Sequence, residues 1–326
     1  MTPSMSSPAL RALDAALEAT VVPSFSRIGY AARRRLFDWD APAPGSMAGR
    51  VVVLTGATGG LGGAIARGVA RLGASVWLLG RDLGRVGSLA RDITSAVPEA
   101  QVRIATADLA RLDDVRRVSA TLLDQTERID VLVHNAGILM KHRELTVDAL
   151  ETTTQVHLVA PFLLTSLLLP RMIETSRARV ITVSSGGMYT KRLDVAALSP
   201  QPVEAFSGVA AYAQTKRAQV VLTEEWSRRA TGIAFHAMHP GWVDTPGLKG
   251  SLPGFGRLMR PLLRSPEQGA DTVLWLAGPA GTNLASGGFW HDRARRSTER
   301  WPGTGTPPGE THRLWDFVSA HAGVPR

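Results

Sequence analysis

Short apolar runs alternate with longer amphipathic stretches over most of the chain after residue 46. A short apolar run without polar alternation is typical of a parallel strand that is buried on both faces. The runs predict strands at 51–54, 75–79, 102–105, 131–134, 180–183 and 233–238. Because helical patterns lie between most of these runs, we expect an α/β fold with one doubly wound parallel sheet and helices on both faces.

The first 46 residues have a different pattern. Apolar side chains recur there at helical spacing, at Leu10, Leu13, Leu17 and Val21. Three arginines follow at 33–35, and residues 41–45 contain two prolines and a glycine. We predict a helical arm with a proline-rich linker over 1–46. Two interpretations stay open: the arm packs on its own domain, or residues 1–40 contact a membrane surface or a partner.

The stretch after Thr245 is less regular and is rich in glycine and proline. Its apolar residues are Leu248, Leu252, Phe255, Leu258, Met259, Leu262 and Leu263. They predict a lid over about 245–265 that covers a hydrophobic substrate, with ordinary packing as the alternative. A last helix is predicted through 272–277, and a tail with Trp290, Trp301 and Trp315 follows it. The catalytic domain would then span 47–326.

Composition excludes several classes of function. The chain has 326 residues, a formal net charge of +9 and no cysteine, which excludes disulfides, thiolate nucleophiles and cysteine-based metal sites. The arginines are scattered and form no basic patch interleaved with aromatic residues, so we expect no nucleic-acid partner. No run reaches the about 18–20 apolar residues of a membrane span. We expect a cytoplasmic protein, with peripheral membrane contact as an alternative.

A glycine-rich turn follows the first predicted strand and begins a helix. Glycines at such a turn let the backbone approach a pyrophosphate, and the helix N-terminus supplies N–H donors. The predicted dinucleotide-binding residues of this turn are Thr55, Gly56, Thr58, Gly60, Leu61 and Gly62.

The second strand ends in Gly80-Arg81-Asp82. An acidic residue at this strand end binds the 2′-hydroxyl of NAD, whereas a nearby arginine suits the 2′-phosphate of NADP. Arg81 therefore favours NADP(H), and NAD(H) stays open through Asp82.

Tyr212 and Lys216 lie four residues apart on a predicted helix and so share one face. A nearby ammonium lowers the pKa of a phenol, which makes the pair suited to general acid/base chemistry. Ser185 follows the strand at 180–183, where its hydroxyl could polarise a substrate carbonyl. A strand-ending turn is the plainer interpretation of that serine.

Together these motifs resemble the short-chain dehydrogenase/reductase family over about residues 48–245. The resemblance implies a Rossmann-type fold, catalysis by Ser185, Tyr212 and Lys216 with no metal, and a homo-oligomer. Trp290-His291-Asp292 and the arm are similar to the dehydrogenase/reductase family member twelve group. The further cofactor-binding residues that the resemblance implies, beside Tyr212 and Lys216, are Asp108, Leu109, Asn135, Ala136, Gly137, Pro240, Gly241, Val243 and Thr245.

The chain departs from the family pattern at His157, which stands where the family has an asparagine that helps to hold a water near the lysine. An imidazole could bind that water and titrate near neutral pH. A rerouted proton relay and a histidine that only packs the helix are the alternatives. The long interval from Ser185 to Tyr212 also predicts an inserted loop, 189–208, at the substrate mouth.

The resemblance implies an NADP(H)-preferring oxidoreductase that moves a hydride between the nicotinamide and a small-molecule carbonyl or secondary alcohol. The alternatives are an epimerase or dehydratase that retains its cofactor and a non-catalytic dinucleotide-binding protein.

Overall fold

A computed structural model describes residues 8–251 and 253–325. It contains one eight-stranded sheet. The strands are β1 Val51–Thr55, β2 Ser75–Gly80, β3 Val102–Thr106, β4 Val131–His134, β5 Arg179–Val183, β6 Ala234–Met238, β7 Gly288–His291 and β8 Ala294–Arg295. Their order is β3-β2-β1-β4-β5-β6-β7-β8, and β8 alone is antiparallel to its neighbour.

The sheet confirms the predicted doubly wound fold. The chain moves outward from β1 through β2 and β3, then returns to place β4 on the other side of β1. A crevice forms at the carboxyl ends of the strands where this order reverses, and ligands bind there in open α/β sheets. The fold therefore places the glycine-rich turn after β1 beside the residues that follow β4.

Helices cover both faces of the sheet. The helices are α1 Pro8–Ala19, α2 Val21–Phe25, α3 Arg27–Leu36, α4 Gly60–Arg71, α5 Leu83–Ala96, α6 Leu112–Gln125, α7 Thr152–Thr154, α8 Ala160–Glu174, α9 Gly208–Arg229, α10 Pro246–Ser251, α11 Pro253–Met259, α12 Pro266–Ala277 and α13 Glu310–Ala322. One face of the sheet packs mainly against α4, α5 and α12, and the other against α6, α8, α9 and α13.

The carboxyl-terminal part is more regular than the sequence predicted. The helix predicted at 272–277 is α12, which begins earlier at Pro266. It is not the last helix, because the tail adds β7 and β8 to the sheet and ends in α13. The turn between β7 and β8 holds Asp292 and Arg293 at φ 52° and 57°. Two-residue hairpin turns are usually recognised in a sequence by asparagine and glycine, and this turn contains neither.

The arm is helical, as predicted, and packs on its own domain, while residues 1–7 lie outside the described residues. Its α1 turns an acidic face inward, so that Asp14 is buried and Leu13 is 54% exposed. Arg33 is fully buried and donates to Asp14 at 2.7 Å and to Glu18 at 2.7 Å. A charged side chain is tolerated at this depth because it is paired.

The helical run Thr152–Glu174 is long and apolar enough, by length and composition, to cross a membrane. Most of its apolar part, 61%, is buried inside the protein. The run comprises α7, a π-helical turn at Gln155–Val159 and α8. It packs in the hydrophobic core against α6 and α9.

Candidate active site

The ends of β1 and β4 are tied together where the strand order reverses. The Thr55 hydroxyl accepts from the backbone N–H of Asn135 at 3.1 Å and of Ala136 at 3.2 Å. The Asn135 amide donates to the carbonyls of Thr55 and Gly56 at 3.2 and 3.0 Å. Gly56 has φ +66°, and a Cβ there would lie 2.6 Å from the Ala136 Cα. Only glycine therefore fits this contact.

The start of α4 suits a pyrophosphate. Its N-cap is Gly59, so no side chain caps the first turn. A Cβ on Gly62 would lie 2.2 Å from the Gly56 carbonyl oxygen, which keeps the turn compact. Across the crevice, Thr245 and Pro246 carbons lie 3.4 Å from where a Gly60 Cβ would stand. The N–H groups and the positive end of the helix dipole therefore lie close to Thr245 and Pro246, and such a helix start is suited to bind a pyrophosphate.

Two arginines lie near the end of β2. A Cβ on Gly80 would lie 2.7 Å from Val86 Cγ2, so an acidic side chain has no room at this position. Asp82 is engaged as the N-cap of α5, where it accepts from the Arg85 N–H at 3.0 Å. The Arg85 guanidinium donates to the Thr58 carbonyl at 3.4 Å. Arg85 thus joins exposed Arg81 beside the glycine-rich turn.

The turn after β3 is held by its own hydrogen bonds. The Asp108 carboxylate accepts from the Ala110 N–H at 3.0 Å. The backbone N–H of Asp108 donates to the Asp114 carboxylate at 3.0 Å. The Leu109 carbonyl accepts from Gln155 at 3.4 Å. The contact of Asp108 and Leu109 with an adenine stays a prediction.

The two serines after β5 have different surroundings. Ser184 is buried and donates to the Lys216 carbonyl at 2.8 Å, which ties the strand end to α9. Ser185 accepts from the Gly187 N–H at 3.2 Å, and its side chain is close enough to the Tyr212 phenol to affect the pKa of that group. The structure thus brings the predicted serine and tyrosine together.

Burial raises the pKa of Tyr212, and Ser185 acts in the opposite direction. The Lys216 Nζ lies 5.5 Å from the Tyr212 ring centroid, and its expected lowering of this pKa stays a prediction. Tyr212 therefore keeps its proton at neutral pH.

Lys216 is held by acceptors within the protein. Its Nζ donates to the Val183 carbonyl at 2.8 Å and to Gln219 Oε1 at 3.1 Å. The Gln219 amide in turn donates to the His157 carbonyl at 3.0 Å. Burial lowers the pKa of Lys216 to about 7. Sequence reasoning missed Gln219, although its place three residues after Lys216 puts both on one helix face.

His157 is a buried, neutral packing residue in this structure. Its Nε2 accepts from the Ile138 N–H at 2.9 Å, next to Gly137, which leaves the proton on Nδ1. Nδ1 then donates to the Thr215 hydroxyl at 2.8 Å. Burial, reinforced by Lys216, lowers the pKa of His157 well below its usual value. The expectations of a water ligand and of titration near neutral pH are wrong, because the protein occupies both ring nitrogens.

The arm reaches the turn that follows β6. Gly241 has φ +75°, and a Cβ there would lie 2.5 Å from the Arg264 Nε. The Nη1 of Arg264 donates to the Pro240 carbonyl at 3.2 Å. The Trp242 N–H donates to the Phe25 carbonyl at 2.8 Å. A Cβ on Gly186 would lie 2.6 Å from the Phe25 ring. Phe25 therefore supports both the segment after Ser185 and the 240–242 turn, which the sequence did not predict.

The predicted lid folds as α10, α11 and a short 3-10 helix. Met259 and Leu263 are buried, so part of its apolar sequence is ordinary packing, whereas Leu258 is 77% exposed. Phe255 packs edge-on against Trp242 with ring centroids 5.1 Å apart. Buried Val243 and half-buried Thr245 lead into this segment; Leu252 lies outside the described residues.

The inserted loop 189–208 is partly buried. Tyr189, Leu193 and Leu198 are buried, and the Val195 N–H donates to the Glu310 carboxylate at 2.7 Å. The first part of the loop therefore packs on the core beside α13, and the place of the loop at the substrate mouth stays a prediction. Only the segment around 199–207 is mostly exposed.

Comparisons with known proteins agree with this geometry. The family model described as short chain dehydrogenase matches residues 50–253. The chain is 38% identical over 300 residues to dehydrogenase/reductase SDR family member 12 from Bos taurus, covering 90% of this chain and 92% of the relative. It is 32% identical over 281 residues to retinol dehydrogenase 12 from Mus musculus, covering 85% and 87%. A Beutenbergia cavernae crystal structure with bound NADP at low occupancy has a TM-score of 0.62 and 29% identity, covering 77% and 97%.

Proposed function

Since this chain belongs to the short-chain dehydrogenase family, in a group similar to member 12, and is an oxidoreductase of CH–OH and C=O groups that uses NAD(P), we propose that it reduces a hydrophobic carbonyl compound with NADPH. The observation that carries the proposal is the position of the Lys216 Nζ, 5.5 Å from the centroid of the buried Tyr212 ring, where Ser185 follows the carboxyl end of β5.

The residues at this edge have separate tasks. When bound, the nicotinamide ring supplies the hydride. The Ser185 hydroxyl donates to the substrate oxygen and orients it. Tyr212 is protonated at neutral pH because burial raises its pKa, so it can give its proton to the same oxygen as negative charge develops there. In the reverse direction Tyr212 receives that proton. Lys216 is anchored through Val183 and Gln219 and would bind the nicotinamide ribose.

The preference for NADP(H) rests on the end of β2. Arg81 and Arg85 provide two cations there, while Asp82 is used as a helix cap. A guanidinium pairs with a phosphate through several charge-assisted hydrogen bonds. NAD(H) lacks the 2′-phosphate and would gain nothing from these arginines.

The proposal that the substrate is hydrophobic is supported by the residues that face the crevice. Trp242 and Phe255 form an aromatic pair there, and Ser251 of α10 donates to the Leu139 carbonyl across it at 3.4 Å. The name of the mouse relative, retinol dehydrogenase 12, also supports an apolar substrate.

The exposed side chains of the arm support a membrane surface as a partner of this protein. The exposed apolar residues Leu13, Val22 and Ile28 lie on α1–α3 and share these helices with exposed Arg34 and Arg35. Sedimentation with anionic vesicles tests this contact. Loss of binding in Leu13→Ser/Ile28→Ser is expected, and unchanged sedimentation contradicts it. The homo-oligomer that the family implies is tested by sedimentation velocity, where a monomer at micromolar concentration would contradict it.

The proposal is tested by titrating the protein with NADPH and with NADH and then by screening carbonyl compounds. Tyr212→Phe is expected to lower turnover by about 10²–10⁴-fold while NADPH affinity is retained. Near-normal turnover of that variant would contradict the assignment of Tyr212. Cofactor that stays bound through purification with no net redox turnover would instead indicate an epimerase or dehydratase. NADPH binding with no turnover on any carbonyl would indicate a non-catalytic dinucleotide-binding protein.

A further inference from the structure

A cavity of about 310 Å³ lies at the amino ends of β1 and β5. This is the opposite edge of the sheet from Ser185 and Tyr212, so the cavity is separate from the candidate active site. Its size falls at the lower end of the range of about 300–1,000 Å³ that small-molecule pockets occupy. Its polar lining residues are Ser46, Arg50, Arg177, Arg179, Thr282 and Asn283.

Arg179 is the buried cation of this cavity, with 5% of its surface exposed. Its Nη1 donates to the Gly278 carbonyl and to the Thr282 hydroxyl, both at 3.1 Å. Its Nε is buried and has no hydrogen-bond partner within residues 8–251 and 253–325. A guanidinium has five N–H donors, and a buried charge without a counter-ion is costly. Arg179 is thus left with donors for a ligand.

The neighbouring carboxylate is already engaged. Asp130 accepts from Arg50 at 2.7 Å and from Arg128 at 2.6 Å. Burial and the charge of Arg50 lower the pKa of Arg179 to about 10, against the opposing effect of Asp130, so Arg179 remains cationic at neutral pH. Across the described part of the chain, no salt bridge reaches Arg177 or Arg179. The cavity therefore has an excess of positive charge.

The backbone at Arg177 adds to this picture. Arg177 has φ +61°, a conformation that costs a residue with a side chain about 1–3 kcal/mol. Glycine would avoid that cost. The turn itself therefore does not require an arginine, and the Arg177 side chain lines the cavity as a further cation.

We propose that this cavity is a second, non-catalytic ligand site that binds a phosphate-type oxyanion between Arg177 and Arg179. Planar guanidinium groups bind phosphate oxygens through paired hydrogen bonds, and the hydroxyl and amide groups of the lining can donate to the remaining oxygens. The ligand class is a small phosphorylated compound.

Isothermal titration calorimetry of the full chain with inorganic pyrophosphate tests the site. The variant Arg177→Gly is compared with wild type. Glycine suits the positive φ, so the variant should fold with an unchanged or higher Tm. We expect wild type to bind pyrophosphate and Arg177→Gly to bind it at least about tenfold more weakly, which corresponds to about 1.4 kcal/mol. Arg91→Gln removes an exposed positive charge from α5 and should bind like wild type.

The glycine-rich turn could also take pyrophosphate, but it is identical in all three proteins and cannot produce a difference between them. Identical titration of wild type and Arg177→Gly would overturn the proposal. A parallel titration with succinate gives the class of ligand, because equal or tighter binding of succinate would overturn the phosphate assignment. None of these outcomes depends on hydride transfer, so the site and the proposed function can fail separately.

Discussion

Arg33 of the amino-terminal arm donates a hydrogen bond of 2.8 Å to the carboxylate of Asp292, which lies 259 residues further along the chain. The same carboxylate accepts from Arg264 at 2.6 and 2.8 Å, and Arg264 holds the Pro240 carbonyl. Burial raises the pKa of Asp292, but His291, Arg264 and Arg33 lower it far below its ordinary value. One buried charge cluster therefore joins the arm, the β7–β8 turn and the edge of the candidate active site.

Arg33→Met should destabilise the protein strongly. It would leave Asp14, Glu18 and Asp292 without their shared cation, and loss of one partner of a buried ion pair costs about 3–5 kcal/mol. The free energy of unfolding is measured by urea denaturation with tryptophan fluorescence. Arg34→Met at the exposed neighbouring position is the control and should stay within about 0.5 kcal/mol of wild type. Equal effects of the two substitutions would show that the cluster does not hold the arm.

Arg81→Ala and Arg85→Ala should each weaken NADPH binding. A hydrogen bond to a charged group contributes about 1.5–3 kcal/mol, so the Kd should rise by roughly 10–100-fold for NADPH and little for NADH. Fluorescence titration of both cofactors measures this, with Arg91→Ala on the same helix as Arg85 serving as the control. Parallel losses for NADPH and NADH would contradict recognition of the 2′-phosphate.

Gln219 should act as a positioning residue for Lys216. Gln219→Leu removes one acceptor from Nζ, and kcat should fall by roughly tenfold or more. Gln219→Glu places a carboxylate beside Lys216 and should raise its pKa above the present value of about 7. The limb of the pH profile of kcat/KM that reports Lys216 would then move to higher pH.

The matched control for Gln219 is Gln214→Leu, which changes a buried glutamine on the same helix that donates to the Asp194 carbonyl. Its pH profile should match that of wild type. A Gln219→Glu profile that superimposes on the wild-type profile would remove Gln219 from the lysine's environment.

Stability should fall as the pH is lowered from about 6.5. Burial depresses the folded-state pKa of the five buried histidines His134, His157, His236, His239 and His291, in the first to about 3 and in His236 to about 4. Below the unfolded value of 6.5 the unfolded chain binds protons that the folded protein excludes. The free energy of unfolding should therefore drop by about 1.4 kcal/mol per pH unit for each histidine.

The substitution His236→Asn measures how much one of these histidines contributes to the pH dependence of stability. Asparagine can still accept the hydrogen bond that His236 Nδ1 receives from Trp290 at 3.2 Å. Urea denaturation between pH 7 and 5 should give a slope smaller than that of wild type by about 1.4 kcal/mol per pH unit. An unchanged slope in His236→Asn would mean that this histidine titrates alike in both states.

The apolar runs predicted β1 to β6. Parallel strands that are buried on both faces need continuous apolar sequence, which accounts for all of them except the partly exposed edge strand β3. They missed β7, whose four residues include Gly288 and His291 and which ends in a turn without glycine. The periodicity of α1 located the helix but not its orientation. Asp14 turns inward only because Arg33 and Arg296 meet it there, and no local pattern encodes those distant partners.

The residues of the candidate site were likewise predicted from the sequence only in part. The order of motifs predicted that the glycine-rich turn, Ser185, Tyr212 and Lys216 would meet at one edge of the sheet, and the structure places them there. Phe25 could not be found from the sequence, because its contacts are made across elements. Gln219 could have been found from its spacing of three residues from Lys216 on α9. His157 could be located but its state could not, since the hydrogen bonds from Ile138 and to Thr215 decide it.

Arg33 and Asp292 both lie outside the segment 50–253 that the family model matches. Arg33 also donates to Asp14 and Glu18, and Asp292 also accepts from Arg264, so a change at either position disturbs the whole cluster. A chimaera that received the arm of a relative is therefore expected to need that relative's β7–β8 hairpin as well. The arm and the hairpin would then have to be exchanged as one unit, although 259 residues separate Arg33 from Asp292.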